Sequence, residues 1–354
     1  MQETKLNYLS HDGRTQIYAL LWEPEADVDA GTDAGAGVGA EVETEDSTGV
    51  VTGAGTDDSA AAKKDAAELP SPKGIIQIAH GMAEHIHRYR DFAGFLVQNG
   101  FIVTANDHIG HGKSVSSPDD WGNIPLANGK EIFIEDVHQL RNLVSAHYPA
   151  TPYFLFGHSM GSFIVRAYCA RYATGLAGVI VCGTGQLAPL LSKAGNLLAH
   201  LMARFKGEAH KSKLLEDMGV GAYAKAIANP RTKLDWLSVD QQNVDDYIAD
   251  PACGFRFSTG GDAALTSLTS EIVKPACAQA IPLDLPMFFI AGDKDPVGDN
   301  GKGVLAAVEQ LRQSGHNHVE LNLYPGMRHE ILNETGHQVV YQDVLRWLNG
   351  LTHA

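Results

Sequence analysis

Short apolar runs alternate with stretches of helical periodicity along most of the 354 residues. Strand-like runs at 5–9 and 15–22 flank His11-Asp-Gly-Arg, a turn signal, so a β-hairpin opens the fold. Gly74-Ile-Ile-Gln-Ile-Ala predicts the next strand, which ends at His80-Gly81, and a helical stretch through Phe92, Phe95 and Leu96 stops at Gly100. Phe101-Ile-Val-Thr-Ala reads as a strand, and Asp107 to Ser114 as a loop rich in glycine and histidine. Residues 130–147 place Ile134, Val137, Leu140, Leu143 and Val144 at helical spacing. Pro152-Tyr-Phe-Leu-Phe predicts a strand and 160–172 a helix; three further strands start at Gly178, Pro286 and Val319, and a helix over about 336–349 follows. Apolar strands alternating with helices specify an α/β fold, a mostly parallel sheet covered on both faces.

Two stretches break the alternation. Residues 26–70 carry eleven acids and two lysines among Ala, Gly, Thr and Val, with no aromatic residue. That apolar content is too small to offset the entropy of ordering it, so a disordered insertion is expected. A long loop costs little to close, about 0.6 kcal/mol per doubling of its length. Residues 185–262 show helical patches at 197–205 and 223–227 without strong strands between them, which suits a cap over the strand ends. The expected layout is therefore an N-terminal hairpin (1–25), the acidic insertion (26–70), a first core part (71–184), the cap (185–262) and a second core part (263–354).

Charge and cysteines narrow the class. The net charge is −15. The insertion accounts for −9 of it, leaving an ordinary −6 for the rest. No clustered Lys and Arg face a phosphate backbone, so nucleic acid is not an expected partner. No apolar run approaches the roughly 20 residues of a membrane helix, and the first residues carry no secretory pattern. Cys169, Cys182, Cys253 and Cys277 lack C-x-x-C spacing and read as reduced, mostly buried thiols of a cytoplasmic protein.

The chemistry gathers at three strand ends. Gly157-His-Ser-Met-Gly161 follows a strand and opens a helix, the context in which G-x-S-x-G presents a nucleophile, here Ser159. A serine hydroxyl needs a base, and the base needs a carboxylate to hold it. Asp293 and Asp295 follow the strand at 286–291, and His329 follows the strand at 319–324, in the chain order Ser, acid, His. Asp295 is favoured over Asp293 because it stands further from the strand and precedes Pro-Val, as suits a loop reaching toward the histidine. An oxyanion hole needs backbone N–H donors. Met160, after the nucleophile, supplies one, and Met82, in the loop after the strand at 74–79, is the candidate for the other.

Taken together, His80-Gly-Met-Ala-Glu-His-Ile-His-Arg-Tyr, Asp107-His-Ile-Gly-His-Gly-Lys-Ser, the Ser159 turn and Gly326-Met-Arg-His-Glu-Ile-Leu-Asn-Glu resemble the monoacylglycerol lipase/lysophospholipase family of serine α/β-hydrolases. Asp250-Pro-Ala-Cys-Gly-Phe is similar to the cap of its bacterial lysophospholipase members. The resemblance covers about 73–350, and the acidic insertion departs from it. It implies an ester hydrolase of single-chain lipids with a helical cap, a fatty-acyl pocket and no cofactor. A lipid substrate allows at most peripheral contact with membranes, since no strongly basic amphipathic helix is present. A peptidase of the proline-iminopeptidase type, an acyltransferase and a non-catalytic ligand sensor are the rival readings.

Other signals carry less. His80, His85, His87, His108 and His111 cluster, but a zinc-hydrolase H-E-x-x-H is missing, because Asn333 stands where the second histidine would be; no metal is expected. Gly183-Thr-Gly-Gln-Leu-Ala188 mimics a dinucleotide fingerprint but comes late in the chain, without a fitting acid. Gly254-Phe-Arg-Phe, and the apolar Leu187, Leu190, Leu191, Leu197, Leu198, Leu201 and Met202, could line an acyl pocket or simply pack the cap.

Overall fold

A computed structural model describes residues 1–25, 71–186 and 188–352. The expected disorder of 26–70 and the reading of Leu187 lie outside the described residues. One sheet of 8 strands runs in the order β1-β2-β4-β3-β5-β6-β7-β8. Its strands are β1 (Gln2–Leu9), β2 (Gln16–Glu23), β3 (Ile75–Ala79), β4 (Ile102–Asn106), β5 (Tyr153–His158), β6 (Leu176–Cys182), β7 (Met287–Gly292) and β8 (Val319–Tyr324). β2 pairs antiparallel with β1 and β4, and all remaining pairs are parallel. β3, β4, β5 and β7 are buried throughout, as parallel strands covered on both faces must be.

The helices are α1 (Arg90–Gln98), α2 (Gly129–His147), α3 (Met160–Tyr172), α4 (Pro189–Lys206), α5 (Lys213–Met218), α6 (Val220–Lys225), α7 (Gln241–Ala249), α8 (Thr259–Ile272), α9 (Pro275–Ala280), α10 (Lys302–Gln313) and α11 (Gln338–Thr352). Alternation along each strand splits the core in two. Ile75, Leu155, Val179, Val181 and Phe289 join α2, α3, α8, α9 and α10 in one cluster. Ile76, Ile78, Phe154, Phe156, Ile180 and Phe288 join α1 and α11 in the other. This is the α/β-hydrolase architecture, with the carboxyl ends of β3, β5, β7 and β8 opening toward one cavity.

Sequence reading missed α5, α7, α8, α9 and α10. α10 buries Val304, Ala307, Val308 and Leu311, a helical spacing that was present to be read. α7 and α8 start on side-chain caps: Asp240 accepts from Gln242 and Asn243, and Ser258 accepts from Gly261. α8 runs unbroken across 262 and 263, where the sequence placed the end of the cap. Between β6 and α8 the described residues hold helices and a lone bridge, Lys211 with Ser258, and no strand.

α4 faces outward. Leu190, Leu191, Leu197 and Phe205 are 81%, 58%, 61% and 80% exposed, and Leu201 is exposed as well. These side chains are absent from the wall of the cavity at Ser159, whereas Leu198 and Met202 pack with Ala199, Leu215 and Ala263. An apolar stripe on a helix does not encode which neighbour covers it, and here no described residue does.

Candidate active site

Ser159 sits at the tip of the turn from β5 into α3 with φ 54 and ψ −118. A non-glycine residue is rarely held there, and the strain costs on the order of 1–3 kcal/mol. The flanking glycines make the turn possible. A Cβ on Gly161 would stand 1.9 Å from the Ala79 carbonyl oxygen, and one on Gly157 would stand 2.4 Å from the Gly161 oxygen. The Ser159 amide donates to the Cys182 carbonyl at 3.0 Å, which fixes the turn against β6.

Asp293 and Asp295 divide their work. Asp293 Oδ1 accepts the Gly326 amide at 2.7 Å and so ties the loop after β8 to the end of β7. Gly292 lets that loop approach, since a Cβ there would meet the Met327 oxygen at 2.1 Å. Asp295 is fully buried; its Oδ2 lies 2.9 Å from His329 Nδ1, and its Oδ1 accepts the Val297 amide at 2.9 Å. A carboxylate on Nδ1 places the imidazole proton there and leaves Nε2 with its lone pair.

Ser159, His329, Met82 and Met160 border one cavity of about 180 Å³, whose walls include Phe163, Leu215, Phe257 and Leu265. Gly254, Phe255 and Arg256 line it too. Among the described residues, the amides of Met82 and Met160 donate to no partner. The loop carrying Met82 is pinned on each side of it. The Gly81 amide donates to Glu84 Oε1 at 2.6 Å, and the Ala83 carbonyl accepts from Gly254 N at 2.9 Å and the Tyr247 hydroxyl at 2.8 Å. His80 Nε2 accepts the His108 amide at 2.9 Å. Burial holds His80, His108 and His111 below the usual imidazole range, His111 at about 3, so these rings are neutral supports of the loop.

A buried polar network that sequence reading did not find lies against this site. Arg88 Nη1 bonds Glu84 Oε2 at 2.8 Å and Glu330 Oε1 at 2.6 Å, while Nη2 bonds Glu330 Oε2 at 2.7 Å. Asn243 Nδ2 donates to Glu330 Oε2 at 2.7 Å, and the Tyr89 hydroxyl donates to Glu84 Oε1 at 2.7 Å. Burial works against the Glu84 carboxylate, yet the hydrogen bond with His158 and the Arg88 charge hold it well below the usual range. Burial likewise opposes charge on His158, and the Glu84 hydrogen bond and charge raise its imidazole above the usual value. Asp262 behaves in the opposite way. Burial first, then the Glu216 charge, push its carboxyl up to about 7 against the Arg256 charge. Among the described residues, one grouping of metal-type donors occurs, His85, Asp250 and Cys253, with ligand atoms within 4.8 Å of one another. His85 Nε2 and Asp250 Oδ2 already satisfy each other at 2.9 Å. No described helix is long and apolar enough to cross a membrane.

Known proteins are similar to this chain in sequence and fold. Residues 70–336 match the family described as serine aminopeptidase, S33. A monoacylglycerol lipase of Mycolicibacterium smegmatis is 31% identical over 281 residues, 78% of this chain and 88% of that protein. The mouse monoglyceride lipase is 27% identical over 279 residues, 76% of this chain and 82% of that protein. Among solved structures, a thermostable carboxyl esterase from Bacillus coagulans in complex with glycerol superposes with a TM-score of 0.80 at 31% identity, covering 99% of each chain. With a family model matched over most of its length and a monoacylglycerol lipase 31% identical over 78% of it, the chain belongs to the monoacylglycerol lipase-like family of serine α/β-hydrolases.

Proposed function

We propose that this protein is a serine hydrolase that cleaves carboxylic esters of single-chain lipids, monoacylglycerols first and lysophospholipids second, through an acyl-enzyme. The observation that carries the reading is the strained Ser159 and the buried Asp295–His329 pair on the wall of one largely apolar cavity. Ser159 Oγ attacks the ester carbonyl as its proton passes to His329 Nε2, and Asp295 holds the imidazole in the tautomer that can accept it. The free amides of Met82 and Met160 stabilise the oxyanion; losing one such donor typically costs about 2.7–4 kcal/mol. His329 then protonates the leaving alcohol, and water, activated by the same ring, releases the fatty acid. These steps use only side chains and amides of this chain, and no cofactor is proposed.

The cavity and cap fit a lipid substrate. Phe163, Leu215, Phe257 and Leu265 offer apolar wall for an acyl chain. The exposed leucines of α4 and Phe205 suit peripheral contact with a lipid surface. We assign the protein to the cytoplasm, in keeping with its free cysteines, of which Cys169, Cys182 and Cys277 are buried. The layout of hairpin, insertion, split core and cap at 185–262 is proposed on the same footing.

Turnover of 1-monoacylglycerols, lysophosphatidylcholine, p-nitrophenyl esters and aminoacyl p-nitroanilides tests the reading. Monoacylglycerol turned over faster than the other lipids is the expected result. Anilide cleavage with silent esters would overturn it in favour of a peptidase. Ester formation with an added alcohol exceeding hydrolysis would make the enzyme a transferase.

A further inference from the structure

Two rings pack against His329. His158, from the Ser159 turn, lies 4.8 Å away between centroids, and Trp236, from the segment between α6 and α7, lies 5.1 Å away at 42°. Trp236 is buried, and its indole N–H has no partner among the described residues. A hydrogen bond therefore does not explain an indole at this position. Tyr223 backs it at 5.2 Å.

The segment that carries Trp236 is bonded to the His329 loop at several points. The Glu330 amide donates to the Leu237 carbonyl at 2.8 Å, and Arg328 Nη1 donates to the carbonyls of Asp235 at 2.5 Å and Ser238 at 3.1 Å. Glu334 accepts the amides of Arg328 at 2.8 Å, Val239 at 3.0 Å and Asp240 at 3.3 Å. Trp236 and His329 thus stand on one hydrogen-bonded body.

Charge gives the pairing a use. Both nitrogens of His158 face acceptors: the Tyr89 oxygen at 3.0 Å and Glu84 Oε1 at 3.3 Å on Nδ1, and the His329 carbonyl at 3.3 Å on Nε2. That ring therefore favours the imidazolium form. When His329 takes the Ser159 proton, a second positive ring forms beside the first. Like charges oppose this step, and an indole π-face within about 6 Å of a cation favours it. We propose that Trp236 is a positioning residue for the reaction, holding the His329 ring and stabilising its imidazolium form while Oγ–carbonyl bonds form and break. The inference rests on the roles of Ser159 and His329 proposed above.

Fluorination of tryptophan tests it, because it withdraws π density in steps while nearly preserving shape. The enzyme is prepared with tryptophan, 5-fluorotryptophan and 5,7-difluorotryptophan at all four Trp positions, in wild type and in Trp236→Phe. On a soluble short-chain p-nitrophenyl ester, kcat of wild type is expected to fall stepwise, about five-fold in all, with KM unchanged. Trp236→Phe should have a lower kcat that no longer depends on fluorination. A flat kcat across the wild-type series, or the same dependence in Trp236→Phe, overturns the inference while leaving ester hydrolysis intact. No ester turnover by the unsubstituted enzyme instead overturns the Ser159–His329 reading, and this inference with it.

Discussion

The loops at the strand ends and helix α4 are built differently. Around Ser159, Asp295 and His329, polar groups are buried and cross-bonded: Asp295 uses both carboxylate oxygens, and Arg88 is shared between two glutamates. Outer cap helix α4 buries Ser192, Ala199 and Ala203 and leaves most of its large apolar side chains in the open. The segment at 234–240 belongs to the first kind, since it is bonded to the His329 loop although it falls within the cap by sequence. Fixed geometry surrounds Ser159, Asp295 and His329, and open apolar surface lies on α4.

Breaking the fixed side should have the largest effects. Asp295→Asn keeps a side chain of the same shape but removes the carboxylate that sets the His329 tautomer, so kcat is expected to fall about 10⁴-fold while the thermal midpoint barely moves. A loss below ten-fold would mean the pair at 2.9 Å is structural only. Arg88→Met leaves Glu84 and Glu330 buried without their cation, and the expected destabilisation is about 3–5 kcal/mol in denaturant titration. A stability change under 1 kcal/mol would show that the acids find other partners.

The open side should respond differently. Replacing Leu190, Leu197 and Phe205 with serine together should change stability little, roughly 0.5 kcal/mol or less per site. Turnover of long-chain monoacylglycerol presented on vesicles should nevertheless drop several-fold, with soluble short-chain esters unaffected. Equal losses on both substrates would remove the proposed surface contact. The smallest effect concerns Asp262, whose carboxyl is held up to about 7. The native state keeps this proton where the unfolded chain has released it. Its contribution is therefore complete below about pH 4 and lost as pH rises through 7. Asp262→Asn should flatten that part of the stability–pH curve, and an unchanged slope measured by thermal unfolding at several pH values would count against the assignment.

Much of the fixed side is legible in the sequence because its cues are local. Gly157 to Gly161 is a steric solution to one turn, and the bounds of α3 and β8 read from periodicity coincide with those observed. Asp295 and His329 follow their strands in the expected order and meet at 2.9 Å. What was not legible depends on distant residues meeting. Arg88 and Glu330 are 242 positions apart, and only the parallel crossings bring them together. Trp236 offers no motif of its own, and its place beside His329 follows from backbone bonds between two loops. The stripe on α4 was visible, yet whether it faces a pocket, the core or the outside is set by what packs on it. α10 is a different case, since its apolar spacing at 304, 307, 308 and 311 is a local cue.

The central claim is that Ser159 forms the acyl-enzyme, and hydrolysis by Ser159→Ala beside wild type tests it most directly. With 1-monoacylglycerol and a p-nitrophenyl ester as substrates, the account predicts a fall of about 10⁶-fold in kcat for the variant, with the fold unchanged by circular dichroism. Wild type, and not the variant, should also gain the mass of a fluorophosphonate adduct. Retention of more than a percent of wild-type activity by a folded Ser159→Ala would contradict the claim.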